Sequence, residues 1–145
     1  MKISTKGRYA LRIMTDLAQH GRDEYISLKE ISKRQDISMK YLETIAGVLH
    51  RAGFVLSLRG KNGGYKLAKK PGDYTVGSII KLTEGGLAPV ACLDSETNEC
   101  SRAEYCVTLP MWEKLGKLID DYLESITLED LVKRQNGLIG NDYRI

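Results

Sequence analysis

Residues 27–68 read SLKEISKRQDISMKYLETIAGVLHRAGFVLSLRGKNGGYKLA, and the order of signals along them decides the fold. Ser27-Leu28-Lys29-Glu30 is a capping box: the serine oxygen can accept from an orphan N–H at a helix start while Glu30 reaches back to the cap. It opens a short helix over about 28–35, with Leu28 and Ile31 facing inward. Asp36 and Ile37 make a tight connection, and Ser38 is the N-cap of a further helix reaching about Arg51. In that helix Leu42, Ile45, Ala46 and Leu49 recur at core spacing. Two helices joined by so short a turn form a helix-turn-helix. Phe54–Leu58 and Tyr65–Ala68 then read as strands around Arg59-Gly60-Lys61-Asn62-Gly63-Gly64, where Asn-Gly and Gly-Gly tolerate the positive φ of a hairpin turn. A helix-turn-helix followed by a basic, glycine-rich hairpin is a winged helix, and the combination is far more specific than either part.

Outward from this stretch the pattern is helical. Ala10, Ile13, Met14, Leu17 and Ala18 predict a helix over 5–20, stopped at Gly21. Beyond Pro71, Val76, Ile79 and Ile80 predict a short helix from Thr75 to about Leu82, closed by Gly85-Gly86. Residues 87–108 have no clear periodicity. Pro110, tolerated in a first turn, opens a longer helix whose stripe is Met111, Trp112, Leu115, Leu118, Ile119, Tyr122, Leu123 and Ile126. Thr127-Leu128-Glu129-Asp130 is a second capping box, before a terminal helix. The stripe either packs wholly on its own domain or forms the seam of a homodimer; the dimer is favoured, because two-fold dimers match palindromic duplex sites. The fold class is therefore mainly α with a small β-hairpin wing. Residues 1–82 form the winged helix-turn-helix, 83–108 a cysteine-containing loop, and 109–145 a dimerisation helix plus a last helix packing back on the first unit.

Charge follows the same division. Residues 1–81 carry 16 Lys and Arg against 7 Asp and Glu, whereas 82–145 carry 6 against 12, so a net charge of +3 conceals a basic half and an acidic half. A basic half bearing a winged helix points to duplex DNA. No apolar run is long enough to span a bilayer. The N-terminal MKISTKGRYALR lacks the apolar core of a signal peptide, so a cytoplasmic location and no membrane partner are expected.

Cys92, Cys100 and Cys106 are the chain's three cysteines and lie within ACLDSETNECSRAEYC. In a cytosolic setting, clustered cysteines indicate a metal or redox site more than structural disulfides, and Asp94, Glu96, Glu99 and Glu104 make the segment too polar for core. Thiolates suit zinc and iron–sulfur clusters alike, and spacing does not choose between them. No paired carboxylates, Cys–His nucleophile or phosphate-binding loop supports an enzyme: the histidines lie far from the cysteines in sequence, and the glycine run at 60–64 sits in a hairpin.

MKISTKGRYAL, ISLKEIS, ISMKYLE, LRGKNGGYKLAK and ITLEDLV, in that order over nearly the whole chain, resemble the IscR, CymR and NsrR group of bacterial winged-helix transcription regulators. The resemblance implies a homodimer held by the helix near 110–125. It also implies that the helix beginning at Ser38 enters the major groove while the wing reaches an adjacent minor groove. Carried over residue by residue, Ser38, Lys40, Tyr41, Glu43 and Arg59 are the base-reading candidates, and Lys2, Lys6 and Arg8 hold phosphates. The chemistry agrees: Arg and Lys donate to guanine, Glu accepts from cytosine N4, and Arg suits a narrow minor groove. Arg51 and Lys61 are phosphate contacts, which position without specifying. Tyr41 reads equally as an aromatic packed under the helix.

The cysteine trio places the chain on the IscR-like side of the group, since the CymR-like branch lacks it. The resemblance thus implies a 2Fe-2S cluster in each subunit, held by Cys92, Cys100 and Cys106, in a repressor sensing iron–sulfur, redox or nitric oxide status. The chain departs from the pattern at the fourth ligand. IscR-like members have a histidine where Leu109 stands, some NsrR-like members have an acidic residue where Arg8 stands, and the Cys92–Cys100 spacing is longer than in IscR. Asp94, Glu99, Glu104, water, a small thiol or a residue of the other subunit remain open for that position; His20 and His50, in the DNA-binding half, are set aside. The alternatives are a CymR-like regulator of sulfur and cysteine metabolism, controlled by a protein partner or thiol oxidation without a cluster, and a zinc-stabilised DNA-binding module.

Overall fold

The computed structural model describes residues 2–21 and 23–142; residue 1, residue 22 and the last three residues of the 109–145 segment lie outside them. Among the described residues, five helices and one antiparallel hairpin are arranged around a sixth helix, α1 (Thr5–His20). Its Ala10, Ile13, Met14 and Leu17 are buried against Ile31, Leu42, Ile45, Leu49, Val55, Ile79 and Leu128, which come from every other helix but one and from the first strand.

Local caps set the helix boundaries. Ser27 Oγ accepts from Glu30 N at 3.2 Å and starts α2 (Leu28–Gln35). Among the described hydrogen bonds no return bond from the Glu30 carboxylate appears, so this cap works from one side only. Asp36 ends α2 in the left-handed region (φ 53), the one non-glycine residue to do so among the described residues. Asp and Asn tolerate that conformation better than other side chains. Ser38 Oγ then accepts from Tyr41 N at 3.2 Å and starts α3 (Met39–Arg51).

The hairpin pairs β1 (Val55–Leu58) with β2 (Gly64–Leu67), Val55 opposite Leu67 and Leu58 opposite Gly64. The turn differs from the expected one. Positive φ falls on Gly60 and Gly64, and neither Asn62 nor Gly63 adopts it, because the connection is a five-residue loop closed by Gly63 N to Gly60 O at 3.0 Å. A contact from before α2 supports β2: Ile26 and Tyr65 exchange both backbone hydrogen bonds at 2.8 Å. At Gly64 a Cβ would run into the Ile26 carbonyl, so glycine is required for the approach.

Helix α4 (Val76–Glu84) is capped by Thr75 Oγ1, which accepts from Ser78 N at 3.0 Å, and stops at Gly85 with φ 77. Two short 3₁₀ turns, Ala91–Leu93 and Ala103–Tyr105, lie in the cysteine segment before α5 (Leu109–Glu124). The second capping box is reciprocal: Asp130 N donates to Thr127 Oγ1 at 3.1 Å and Thr127 N to Asp130 Oδ2 at 2.9 Å, opening α6 (Leu128–Asp142). Helix α6 packs on α1, and α5 packs on α4.

The apolar stripe of α5 divides in two. Trp112, Ile119 and Leu123 are half-buried, as is Ile126 just after the helix. Met111 (53% exposed), Leu115 (39%), Leu118 (58%) and Tyr122 (66%) form a second row that no described residue covers. No helix among the described residues is long and apolar enough to cross a membrane.

One buried charge holds α2 on α1. The Asp16 side chain is 0% exposed and receives Arg34 Nε at 3.0 Å, Arg34 Nη2 at 2.8 Å and Gln35 Nε2 at 2.9 Å, while Arg34 remains 33% exposed. The two ends of the pair therefore respond differently to removal of the other. Arg34→Ala leaves a buried carboxylate with Gln35 alone, and urea unfolding should show a loss of about 3 kcal/mol, the scale for a broken buried pair. Asp16→Asn leaves a guanidinium that water reaches and should cost roughly 1–2 kcal/mol. The reverse order would show that desolvation of Asp16 is not what ties the helices together.

Candidate DNA-binding surface and thiol loop

The outer face of α3 is set by its inner one. With Leu42, Ile45, Ala46 and Leu49 buried, Lys40, Glu43 and His50 point to solvent at three- and four-residue spacing around Gly47. Lys40 and Glu43 thus share one exposed face. Ser38 is exposed at its N-terminal end, its oxygen engaged as the cap and its hydroxyl proton free to donate. Tyr41 stands off that face: half-buried, it meets Tyr9 edge-on with ring centroids 5.5 Å apart, and Arg12 lies 5.1 Å over the Tyr9 ring. The packed-aromatic reading of Tyr41 describes what its ring does here. The Tyr9–Tyr41 contact also sets the first turns of α1 and α3 side by side.

Lys2, ahead of α1, and Arg8, on it, are exposed, and Lys6 is half-buried; Arg8 Nη2 donates to Thr5 Oγ1 at 3.0 Å. Arg59 and Lys61 are exposed in the hairpin loop. Arg51 folds back along α3 over Gly47, where an added Cβ would lie 3.2 Å from its Nη1. Gly47 is a feature that the apolar spacing passes over. Its signal is the cost of a glycine inside a helix, about 1 kcal/mol relative to alanine, at a position with no core role. It leaves the middle of the exposed face bare, and Arg51 lies over it. His50 Nε2 sits 3.2 Å from Ser57 Oγ, joining the end of α3 to β1.

The electrostatics of this half rest on what is left unpaired. Among the described residues, ion pairs in the first 81 positions engage Arg34 and Lys81 and no other cation. The basic surplus is consequently not neutralised internally, and an external polyanion is its natural counterion.

The thiols present a different picture. Cys92 is half-buried on its 3₁₀ turn, Cys100 is exposed and Cys106 is half-buried just before α5, and all three are free. Cys106 Sγ lies 3.4 Å from Thr108 Oγ1; that hydroxyl first, then the Thr108 backbone and the Arg102 charge, hold the thiol below its ordinary pKa and favour thiolate. Asn98 Oδ1 accepts from Cys100 N at 2.9 Å, while its Nδ2 is buried without a partner. The donor chemistry therefore fits a soft, thiolate-bound group: three uncommitted thiols, one environment favouring thiolate, and an N–H free to donate toward sulfur. In this conformation no three such side chains converge among the described residues, so the loop must close to use them together. Asp94, Glu99 and Glu104 are all exposed, and Leu109 begins α5.

A winged helix with an unneutralised basic surface and a recognition helix open along one face defines a DNA-binding regulator. Comparison with known proteins narrows the class. Residues 3–134 match the Rrf2 family, described as an iron-dependent transcriptional regulator, and the chain belongs to that family. It is 41% identical over 133 residues to the protein rrf2 of Nitratidesulfovibrio vulgaris, covering 92% of this chain and 88% of that one. It is 37% identical over 142 residues to the transcriptional regulator IscR of Erwinia tasmaniensis, covering 98% and 85%. Among solved structures, IscR of T. potens superposes with a TM-score of 0.74 at 43% identity, covering 93% of this chain and 88% of that one. CymR, the global cysteine regulator of B. subtilis, has the same TM-score at 38% identity, covering 92% and 98%. The chain is thus a mostly helical winged-helix transcription regulator of a family that is not enzymatic, as the resemblance implied.

Arg59 gives the sharpest test of the surface, because it is exposed and unpaired. Arg59→Ala should weaken operator binding by about 1–3 kcal/mol, the scale for a base-edge contact, and leave the oligomeric state unaltered. An unchanged gel-shift midpoint would remove Arg59 from the interface.

Proposed function

We propose that the chain is a homodimeric repressor whose affinity for its operator is set by a 2Fe-2S cluster in each subunit, bound through Cys92, Cys100 and Cys106. The observation that carries this reading is the position of the three free thiols: they occupy the segment that runs directly into α5, whose outer apolar row lacks a cover. The description of the family as iron-dependent, and the likeness to IscR, support it.

On this reading the chain has three working parts. Residues 1–82 bind DNA, with Ser38, Lys40, Tyr41, Glu43 and Arg59 toward bases and Lys2, Lys6, Arg8, Arg51 and Lys61 toward phosphates. Residues 83–108 are the sensor loop. Residues 109–145 supply the dimer helix, with Met111, Leu115, Leu118 and Tyr122 as its seam, and the terminal helix. Four large apolar side chains on one helix face are the natural core of a two-fold contact.

When bound, the cluster supplies a redox- and ligand-responsive centre whose stability depends on its ligands. The residues do the rest. Cys92, Cys100 and Cys106 would draw residues 90–108 together, Thr108 lowers the pKa of the Cys106 thiol, and Asn98 would offer its free N–H to a sulfur. Ordering this loop restrains the start of α5, so binding at the thiols and binding at the operator are linked through two arrangements of the dimer. With Leu109 in place of a histidine, the fourth position falls to a loop carboxylate, water, a small thiol or the other subunit. A fourth position filled by water or a small thiol would make the centre labile.

A second reading draws on the equal likeness to CymR: regulation of sulfur or cysteine metabolism through a protein partner or thiol oxidation, without a cluster. Anaerobic purification separates the two. The cluster reading expects visible absorption bands, iron and sulfide in near-equal amounts, and their loss in Cys92→Ala, Cys100→Ala or Cys106→Ala. It also expects operator affinity to differ between cluster-loaded and cluster-free dimers by roughly 5–150-fold, the ordinary span of a coupling energy. A protein that stays colourless after anaerobic reconstitution and copurifies with a second polypeptide would transfer the assignment to the CymR-like reading. A zinc-containing, colourless protein would make the thiols structural.

A further inference from the structure

The wing is held from behind by three consecutive residues that also hold the junction of α5 and α6. Tyr74 is buried, and its hydroxyl donates to Phe54 O at 2.7 Å while accepting from Ala68 N at 3.1 Å and Lys69 N at 3.0 Å. A phenol has one proton and two lone pairs, so this group is saturated by the two ends of the hairpin. The Tyr74 carbonyl faces the other way and accepts from Leu128 N at 3.0 Å, and Val76 N donates to Ile126 O at 2.8 Å. Between them, Thr75 Oγ1 donates to Glu124 Oε2 at 2.8 Å. Glu124 ends α5, and Lys81 Nζ on α4 fixes its other oxygen at 2.9 Å. Gly77 makes room for this carboxylate: a Cβ at that position would lie 2.8 Å from Glu124 Cδ.

We infer that Tyr74-Thr75-Val76 is the strap that positions the wing from the end of α5, with Glu124 as the positioning residue that seats it. Thr75 is bonded to Glu124, and its neighbour Tyr74, a buried member of the core, is bonded to both ends of the hairpin, so an altered seat at Glu124 is passed to the wing along one short run of chain. The bearing of this strap on DNA rests on the regulator reading above; the placement of the wing does not.

Gly77→Ala is the decisive variant. It raises helix propensity in α4 yet displaces the flexible Glu124 carboxylate, so the fold should survive while the seat is lost. Glu124→Gln weakens the same seat without adding bulk, and Tyr74→Phe cuts the strap at the wing. In the full-length protein, amide hydrogen exchange at Ala68 and Lys69 should quicken in all three. For Gly77→Ala and Glu124→Gln the strap expects at least about a fivefold increase, the low end of ordinary coupling, although neither substitution touches the hairpin. Exchange changes confined to α4 and the end of α5 would overturn the strap. On the operator, Gly77→Ala should lower affinity, and Arg59→Ala should cost less in that background than in the native one, the mark of a shared element. If Arg59→Ala costs nothing even in the native protein, the wing's part in DNA binding fails, while the exchange result still decides whether the strap exists.

Discussion

A carboxylate buried in an apolar interior must be paired, and Asp16 can meet that demand only through the last two residues of α2. An unpaired charge there would cost several kcal/mol, so α2 has little freedom to slide or rotate on α1. Arg12, one turn before Asp16, donates to the carbonyl and side chain of the same Gln35, so the end of α2 is held twice. The next residue, Asp36, turns the chain through the left-handed region, and Ser38 caps α3 immediately afterwards. With α2 fixed and a three-residue link, Asp36 to Ser38, of defined conformation, the direction of α3 follows. Which residues α3 shows to solvent then depends on its buried face alone.

What this frame leaves outside explains the chemistry of the surface. Among the described residues, the ion-paired cations of the first 81 positions, Arg34 and Lys81, serve internal joints, one between α1 and α2 and one between α4 and α5. The other described cations of this half have no internal carboxylate partner, although Arg12 also serves a joint through Gln35. Their charge destabilises the isolated protein slightly through self-repulsion and is relieved by a polyanion, so its contribution to binding falls with salt. Glu43 on the same outer face is an anion in a basic setting. In the proposed DNA complex it would repel phosphates and suit a base-edge donor, which would separate specificity from general attraction.

The parts of this structure that were legible in the sequence are those governed by neighbours along the chain. Ser27, Ser38 and Thr127 cap the helices that follow them, and 3.6-residue spacing separates Lys40 and Glu43 from Leu42 and Ile45; Thr75, read as the first residue of its helix, is instead the cap. Tyr41 was ambiguous because its ring and its hydroxyl serve different surroundings, and the deciding contact, Tyr9, lies on another helix. The Asp16–Arg34 pair, the Ile26–Tyr65 bridge and the Tyr74 strap join residues with no local signature linking them. The glycines were partial clues: Gly64, Gly47 and Gly77 interrupt regular elements where a side chain is ordinarily favoured, each at a point of close approach. The two faces of α5 could not be separated by pattern, since Leu and Ile serve a core and a seam equally well. In the thiol loop, composition singled out the candidate donors, but nothing in the periodicity indicates how far apart the fold holds them.

Helix α5 brings these layers together. Its 16 residues span about 24 Å at the usual helical rise, and its two ends differ in kind. At the start lies a segment with no fully buried residue, held by short turns and by hydrogen bonds within itself. Such a segment is cheap to reorganise, because little apolar burial is lost when it moves. At the other end, Glu124 is fixed to α4 and, through Thr75, stands next to the saturated Tyr74 hydroxyl. A rod with one compliant end and one seated end converts order at the first into orientation at the second. The uncovered row of Met111, Leu115, Leu118 and Tyr122 adds the remaining condition. On the proposed reading, a second subunit covers that row and packs one rod against the other, so that a change in either loop would be felt by both wings. The polarity of the chain, with thiols before α5 and the strap's seat after it, suits a weakly structured loop to act on a firmly held wing in that proposed dimer.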